Sequence, residues 1–250
     1  ADGILLGSNK TNSGAVLFKA DVSGVIIING RRFKGNIQLI KKDKPNLLVI
    51  NVVNLEDYLK GILYHEASHY WPIEALKAQA IACRSYAVSQ KESGATKEYD
   101  VTSDTYSQMY GGMTSERLRT NTAVEETKGL VLIYQGKVAP AYFHATCGGH
   151  TEDASILWNI DIAPLKGVVC GLCRESPHYS WHFVITKFEL AEKLNAAGYK
   201  IIGTIAAMLV KERDASGRIT DLIITTPARE ITISAKDFRN IFGPNNIRST

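Results

Sequence analysis

The sequence predicts an α+β protein with a small β-rich N-terminal section, a central helical core and mixed strands and helix towards the C-terminus. Three observations predict this class. Short apolar runs separated by turn residues fill the first 53 positions, a helical period of apolar residues takes over at Asn54, and strands return after residue 200. Strands and helices do not alternate in βαβ fashion, which separates the chain from the doubly wound class.

The 250 residues suffice for one sizeable domain or two small ones and fall into three sections: β-rich 1–53, a core at 54–185 that carries the site, and an α+β section at 186–250. Strands are predicted at 15–18, 25–28, 35–40 and 47–53, with Asn29-Gly30 as a hairpin turn and Pro45-Asn46 as a break. Asn54 suits a helix N-cap, with Asp57 three residues on and Leu55, Tyr58, Leu59, Ile62 and Leu63 at helical spacing. Pro72 suits the first turn of a second helix, whose stripe Ile73, Leu76, Ala80, Cys83 and Ala87 runs to about Gln90. Residues 100–185 mix short strands, such as 130–134, with Gly-, Ser- and Thr-rich loops, where site residues concentrate. A helix at 188–197 closed by Gly198 follows, then strands at 205–213, 219–225 and 230–234, with Ser216-Gly217 as a turn.

With 45% hydrophobic and 22% charged residues the chain is neither disordered nor fibrous. Its longest apolar runs are strand-sized, against the roughly 20 residues of a membrane span, so no segment is predicted to cross a bilayer. The start Ala1-Asp2-Gly3, without an initiator Met, matches what signal-peptide removal leaves, and equally what truncation leaves; the first points to an extracytoplasmic protein. The net charge of +4 is scattered, without the basic block of a nucleic-acid arm, so nucleic acid is not expected as a partner. A mildly basic surface suits an anionic envelope polymer.

Glu66 is the first candidate for chemistry. Positions 55, 59, 62 and 66 share one helix face, so a carboxyl group ends an apolar stripe close to Tyr70 and Trp71. Burial there would raise its pKa into the range of a general acid that protonates a glycosidic oxygen. The competing reading is a helix-terminal Glu in solvent or paired with Arg84. Lys77, Arg84 and Lys91 recur every seven residues as a basic line on the second helix; Arg84, among small apolar neighbours, could hold a carboxylate through paired hydrogen bonds. If 106–110 is extended, Tyr106, Gln108 and Tyr110 fall on one side and offer two rings and an amide to a sugar; ordinary cross-strand packing is the alternative.

Cys147-Gly148-Gly149-His150 followed by Cys170-Gly171-Leu172-Cys173 has the paired spacing of a structural zinc site, with Cys147, His150, Cys170 and Cys173 as ligands. A disulfide is the competitor, but three cysteines here do not pair off evenly, and Cys83 reads as a buried helix thiol. Four protein ligands would leave no open position for catalysis. A Cys/His protease built on Cys147 with His144 or His150 is a further option, weakened because nucleophile and base normally meet through the fold rather than along the chain.

The run Asn54-Leu55-Glu56-Asp57-Tyr58-Leu59-Lys60-Gly61-Ile62, then Glu66, Trp71-Pro72-Ile73-Glu74-Ala75-Leu76-Lys77-Ala78-Gln79-Ala80 and Arg84-Ser85-Tyr86-Ala87, resembles the signature of the SpoIID/LytB family. Thr127-Lys128-Gly129, the stretch from Tyr142 through Cys147-Gly148-Gly149-His150 to Glu152, Ser176-Pro177-His178-Tyr179, Trp181, Ser216-Gly217-Arg218 and Phe238-Arg239 continue it in order. The resemblance implies one SpoIID-like domain over 1–250, an extracytoplasmic location, and lytic transglycosylase activity on peptidoglycan glycan strands, with Glu66 at the position of the family's essential glutamate. The bond cut would join N-acetylmuramic acid to N-acetylglucosamine, on strands stripped of peptides, leaving 1,6-anhydro ends beside a cell-wall amidase partner. From position and residue type, Arg84 is expected to orient Glu66 or bind substrate, and Tyr106, Gln108, Tyr110 and His144 to line the groove; zinc, argued from spacing alone, would be structural, with no cofactor required for the chemistry. The rival from another class is a non-catalytic glycan-binding module that stimulates an amidase, as LytB-like relatives are thought to do.

Overall fold

The computed structural model describes residues 4–6, 9–11, 13–21, 24–43, 46–94 and 98–249. Ala1-Asp2-Gly3 and Pro45 of the sequence analysis lie outside them. The protein is α+β and divides into two compact units, Ala1–Phe143 and His144–Thr250.

The first unit opens with an antiparallel pair, β1 (Ile4–Leu6) and β2 (Asn9–Thr11). β3 (Ala15–Phe18), β6 (Asn36–Lys41) and β7 (Leu47–Val52) form an antiparallel sheet in the order β3-β6-β7. The hairpin of β4 (Val25–Ile28) and β5 (Arg31–Lys34) is inserted between β3 and β6, and Asn29 and Gly30 close it with φ of 49° and 75°. Both turn positions are left-handed, which Asn and Gly adopt at least cost.

α1 (Leu55–Glu66) starts where Asn54 accepts a hydrogen bond from the Glu56 amide. It packs against α2 (Ile73–Ser93) and α3 (Leu118–Glu126). Leu59, Ile62, Leu63, Leu76, Ala80, Cys83, Ala123 and Val124 are all 0% exposed and make the core of this unit. Each large side chain among them contributes about 2 kcal/mol by leaving water. Cys83 is buried, as its place on the apolar stripe predicts. The strand expected at 130–134 shrinks to β8 (Ile133–Tyr134), paired with β9 (Lys137–Val138), because Leu130 and Leu132 bind side chains of α2 instead.

The second unit carries α4 (Ala154–Trp158), then α5 (Lys187–Ala196), which Thr186 and Glu189 start with a reciprocal capping box. β10 (Ala207–Arg213), β11 (Ile219–Thr225) and β12 (Glu230–Ser234) form an antiparallel sheet in that order, followed by α6 (Ala235–Phe242). Leu190, Leu194, Leu222, Ile224, Ile233, Phe238 and Phe242 fill the core of this unit. Among the described residues no helix is long and apolar enough to cross a membrane.

Candidate functional site

Glu66 is the last residue of α1, one turn beyond the buried Ile62 and Leu63. Its carboxyl group is half-buried and its Oε1 accepts a hydrogen bond from the Met109 amide at 3.1 Å. Burial raises its pKa above the ordinary carboxylate value, and the Met109 bond opposes that only in part. The negative end of the α1 dipole also disfavours the ionised form at this position. Among the described residues no Lys, Arg or His pairs with Glu66.

The other acids around α1 have partners. Glu56 pairs with Arg84, Asp57 with Lys34, and Glu116 with Lys34. Asp104 accepts bonds from Thr102 and from the Tyr106 amide in its own turn. Among the described residues Glu66 therefore stands as a single carboxyl group without a cationic partner.

The segment 108–115 lies along α1 as a strap. Tyr58 donates to Gln108 Oε1 at 3.0 Å, the Gly111 amide donates to the Gly61 carbonyl at 3.1 Å, and His65 Nε2 meets Ser115 Oγ at 2.6 Å. Gly61 permits this approach, because a Cβ there would stand 2.4 Å from the Tyr110 ring. Arg119 donates to the carbonyls of His69 and Trp71 and fixes the turn that follows α1. That turn exposes Tyr70 (82%) and Trp71 (47%).

The residues expected to serve Glu66 are not arranged as the spacing implied. Segment 100–111 is a series of bends and turns rather than a strand, so Tyr106, Gln108 and Tyr110 do not share a side. Tyr106 is 89% exposed, whereas Gln108 is 1% exposed, held by Tyr58 and the Cys83 carbonyl. Tyr110 packs over Gly61 and donates to Asn51 Oδ1 at 2.7 Å. Arg84 does hold a carboxylate in a fork, but that of Glu56, at 3.0 and 2.7 Å. It also donates to the carbonyls of Leu130 and Val124, and at 1% exposure it neither orients Glu66 nor reaches a saccharide. His144 is exposed and opens the second unit. The Met109 amide was not foreseeable from residue types, since a backbone donor leaves no residue signature. Gly61, a glycine inside a helical pattern, was a readable signal of close packing.

In the second unit, Cys147, Cys170 and Cys173 bring their sulfurs within 4.8 Å of one another. Cys147 Sγ and Cys173 Sγ are 3.1 Å apart, and all three are free thiols. Gly148 and Gly149 turn the chain with φ of 71° and 112°, and the Gly149 amide points at Cys147 Sγ, 3.4 Å away. The hydrogen bond from Cys147, followed by the amides of Cys147, Gly148 and Gly149, brings the Cys173 thiol down to about 7, while burial pushes that of Cys147 up. Three thiolates on zinc would stand about 3.8 Å apart at ordinary Zn–S lengths, so these donors fit such an ion. His150 does not join them. Its Nδ1 meets the Thr151 carbonyl at 2.6 Å, its ring packs at Gly167, and its backbone forms a bridge with Val169. Among the described residues no hydrogen bond joins Cys147 to His144 or His150, so the protease reading has no dyad. Cys83, pushed up to about 12 by burial, is no nucleophile either.

A cavity of about 340 Å³ in the second unit is lined by Phe183, Val184, Ile185, Lys187, Leu190 and Met208 among others, with no acid among them.

Residues 43–134, which contain α1, α2, the strap and α3, match the SpoIID family, described as "Stage II sporulation protein". An uncharacterized protein of Brachyspira hyodysenteriae is 34% identical over 224 residues, covering 89% of this chain and 59% of that protein. The amidase enhancer of Bacillus subtilis is 35% identical over 135 residues, 54% of this chain and 18% of the enhancer. Stage II sporulation protein D of Bacillus subtilis is 27% identical over 209 residues, 78% of this chain and 59% of that protein. Residues 43–134 thus belong to the SpoIID family, and the similarity to its members extends over much of the remaining chain. It spans less than two thirds of the length of each of these relatives.

Proposed function

We propose that this chain is a lytic transglycosylase that cleaves the bond between N-acetylmuramic acid and N-acetylglucosamine in peptidoglycan, on peptide-stripped strands, leaving 1,6-anhydro ends. The observation that carries this reading is one half-buried carboxyl group, Glu66, held by a backbone amide and free of any cationic partner among the described residues. Glycosidases that use water normally need two carboxyl groups across the scissile bond. In the lyase reaction the substrate's own 6-hydroxyl closes on the anomeric carbon as the glycosidic oxygen leaves. Glu66 gives its proton to the departing oxygen and, as carboxylate, takes the proton of the hydroxyl, so one group suffices. The engagement of Glu56, Asp57 and Glu116 with Arg84 and Lys34 supports the one-carboxyl scheme.

The exposed rings of Tyr70, Trp71 and Tyr106 are available to stack on pyranose faces in the unit that carries Glu66. Zinc on Cys147, Cys170 and Cys173 would hold loops of the second unit together, and no step of the chemistry requires it. Peptidoglycan as substrate places the chain outside the cytoplasm, with a cell-wall amidase as the partner that removes stem peptides.

The second reading is a glycan-binding enhancer of an amidase, favoured by the similarity to the Bacillus subtilis amidase enhancer. Incubating the purified protein with native and peptide-stripped peptidoglycan, with mass spectrometry of the products, separates the two. Anhydro ends are expected. Reducing ends would mean a hydrolase, and binding without release would mean the enhancer.

A further inference from the structure

Ser216-Gly217-Arg218, the turn between β10 and β11, touches the thiol cluster from behind. Arg218 NH2 donates to the Cys147 carbonyl at 2.7 Å and NH1 to the His150 carbonyl at 3.0 Å. These carbonyls flank Gly148-Gly149, and with both turned to the guanidinium, the Gly149 amide faces the Cys147 sulfur. The fork is itself braced. Arg218 NH1 donates to Ser216 Oγ at 2.9 Å and lies 3.7 Å from Glu152 Oε2, and Ser216 Oγ stands 2.6 Å from Asp214 Oδ1 and 3.1 Å from Glu152 Oε2. The Asp214 carboxylate also accepts from the Ser216 and Arg218 amides and closes the turn. A planar fork that reaches two carbonyls at once is a property of Arg and not of Lys.

We propose that Arg218 is a positioning residue for a metal site made of three thiols: by clamping the Cys147 and His150 carbonyls it holds the Gly148-Gly149 turn in the shape that brings Cys147 to Cys170 and Cys173, with His150 outside the ligand set. The proposal rests on the reading of the cysteines as a zinc site and is independent of the chemistry at Glu66. Groups that orient metal ligands without touching the metal change affinity by about 10- to 100-fold when removed.

The test is metal binding by the reduced full chain. Co²⁺ is titrated by its thiolate charge-transfer absorbance, and Zn²⁺ affinity is measured by competition with a chromophoric chelator. Arg218→Met and Arg218→Lys are expected to bind about 10- to 100-fold more weakly than wild type, and His150→Ala to bind as wild type does. Arg218→Lys keeps a positive charge beside Glu152 and carries the test if Arg218→Met does not fold, as judged by circular dichroism. Wild-type affinity in Arg218→Lys would overturn the clamp. Loss of binding in His150→Ala would overturn the three-thiol ligand set. A wild-type chain that binds neither ion would overturn the metal reading beneath both.

Discussion

At Glu66, desolvation and the end of the α1 dipole act against the ionised carboxylate, and the single Met109 amide acts for it. The net effect is a raised pKa, with a consequence for stability whose sign is fixed. A carboxyl whose folded pKa exceeds its unfolded value stabilises the fold fully below the unfolded pKa, and that stabilisation is lost as pH rises through the folded pKa. Glu66→Gln does not ionise, so its Tm should exceed that of wild type at neutral pH, and the difference should shrink as pH falls into the carboxylate range. A thermal melt series across pH measures this; a Gln variant less stable at neutral pH would contradict the desolvation argument. For activity, a general acid must be protonated, so the alkaline limb of the pH–rate profile should lie above the usual carboxylate range. Arg84 supplies the contrasting case. Removing it strands the Glu56 carboxylate, so Arg84→Met should lose about 3–5 kcal/mol in urea unfolding while the folded fraction keeps its activity. The buried thiol of Cys83 was legible from helical period; the same period put Glu66 at the end of the apolar stripe, but the choice of a shielded acid over a solvent-facing or Arg84-paired Glu came from the family resemblance. The partner of Arg84 was not legible, because spacing cannot distinguish Glu56 from Glu66 as the carboxylate that reaches it.

Among the elements, α1 and the 108–115 strap form one device, since Gly61 lets the strap lie on the helix and Met109 reaches Glu66 from it. Gly61→Ala would gain about 1 kcal/mol of helix propensity but set a methyl 2.4 Å from the Tyr110 ring. That ring is tethered through Asn51 and lies beside Phe33 and Tyr58, so it has no room to retreat. Overpacking of about 1–3 kcal/mol should therefore win, giving a net loss of stability in denaturant unfolding and lower product yield per folded molecule. A variant as stable and active as wild type would show that the strap is not seated this closely. The elements read correctly from sequence are those with a strong local rule: β4 with its Asn-Gly turn, α1 with its Asn cap, and β11 and β12 on either side of a short break. The condition that 106–110 be extended is not met, because the chain bends and turns at 103–107, where no fixed alternation holds. α6 went unread although Ser234 caps it and Phe238 and Phe242 share a face, since its eight residues follow β12 without a gap.

Across the whole molecule, Glu66, the proposed acid, and the thiol cluster fall in different compact units, Ala1–Phe143 and His144–Thr250. Chelator treatment should accordingly lower Tm while leaving product formation intact below the transition, because a zinc ion held by the three thiols would stabilise loops and take no part in the proposed bond cleavage. Loss of product from a chelated but folded sample would give the metal a catalytic role. The α+β class and the convergence of Cys147, Cys170 and Cys173 were accessible from residue spacing; that His150 stands apart was not, because paired spacing fixes proximity along a turn but not which way a ring points. The account as a whole depends on Glu66 acting as the acid, and product analysis of Glu66→Gln on peptide-stripped peptidoglycan tests that most directly. Wild type should release 1,6-anhydro products and the folded Gln variant none, whereas anhydro products from the variant at the wild-type rate would contradict the assignment.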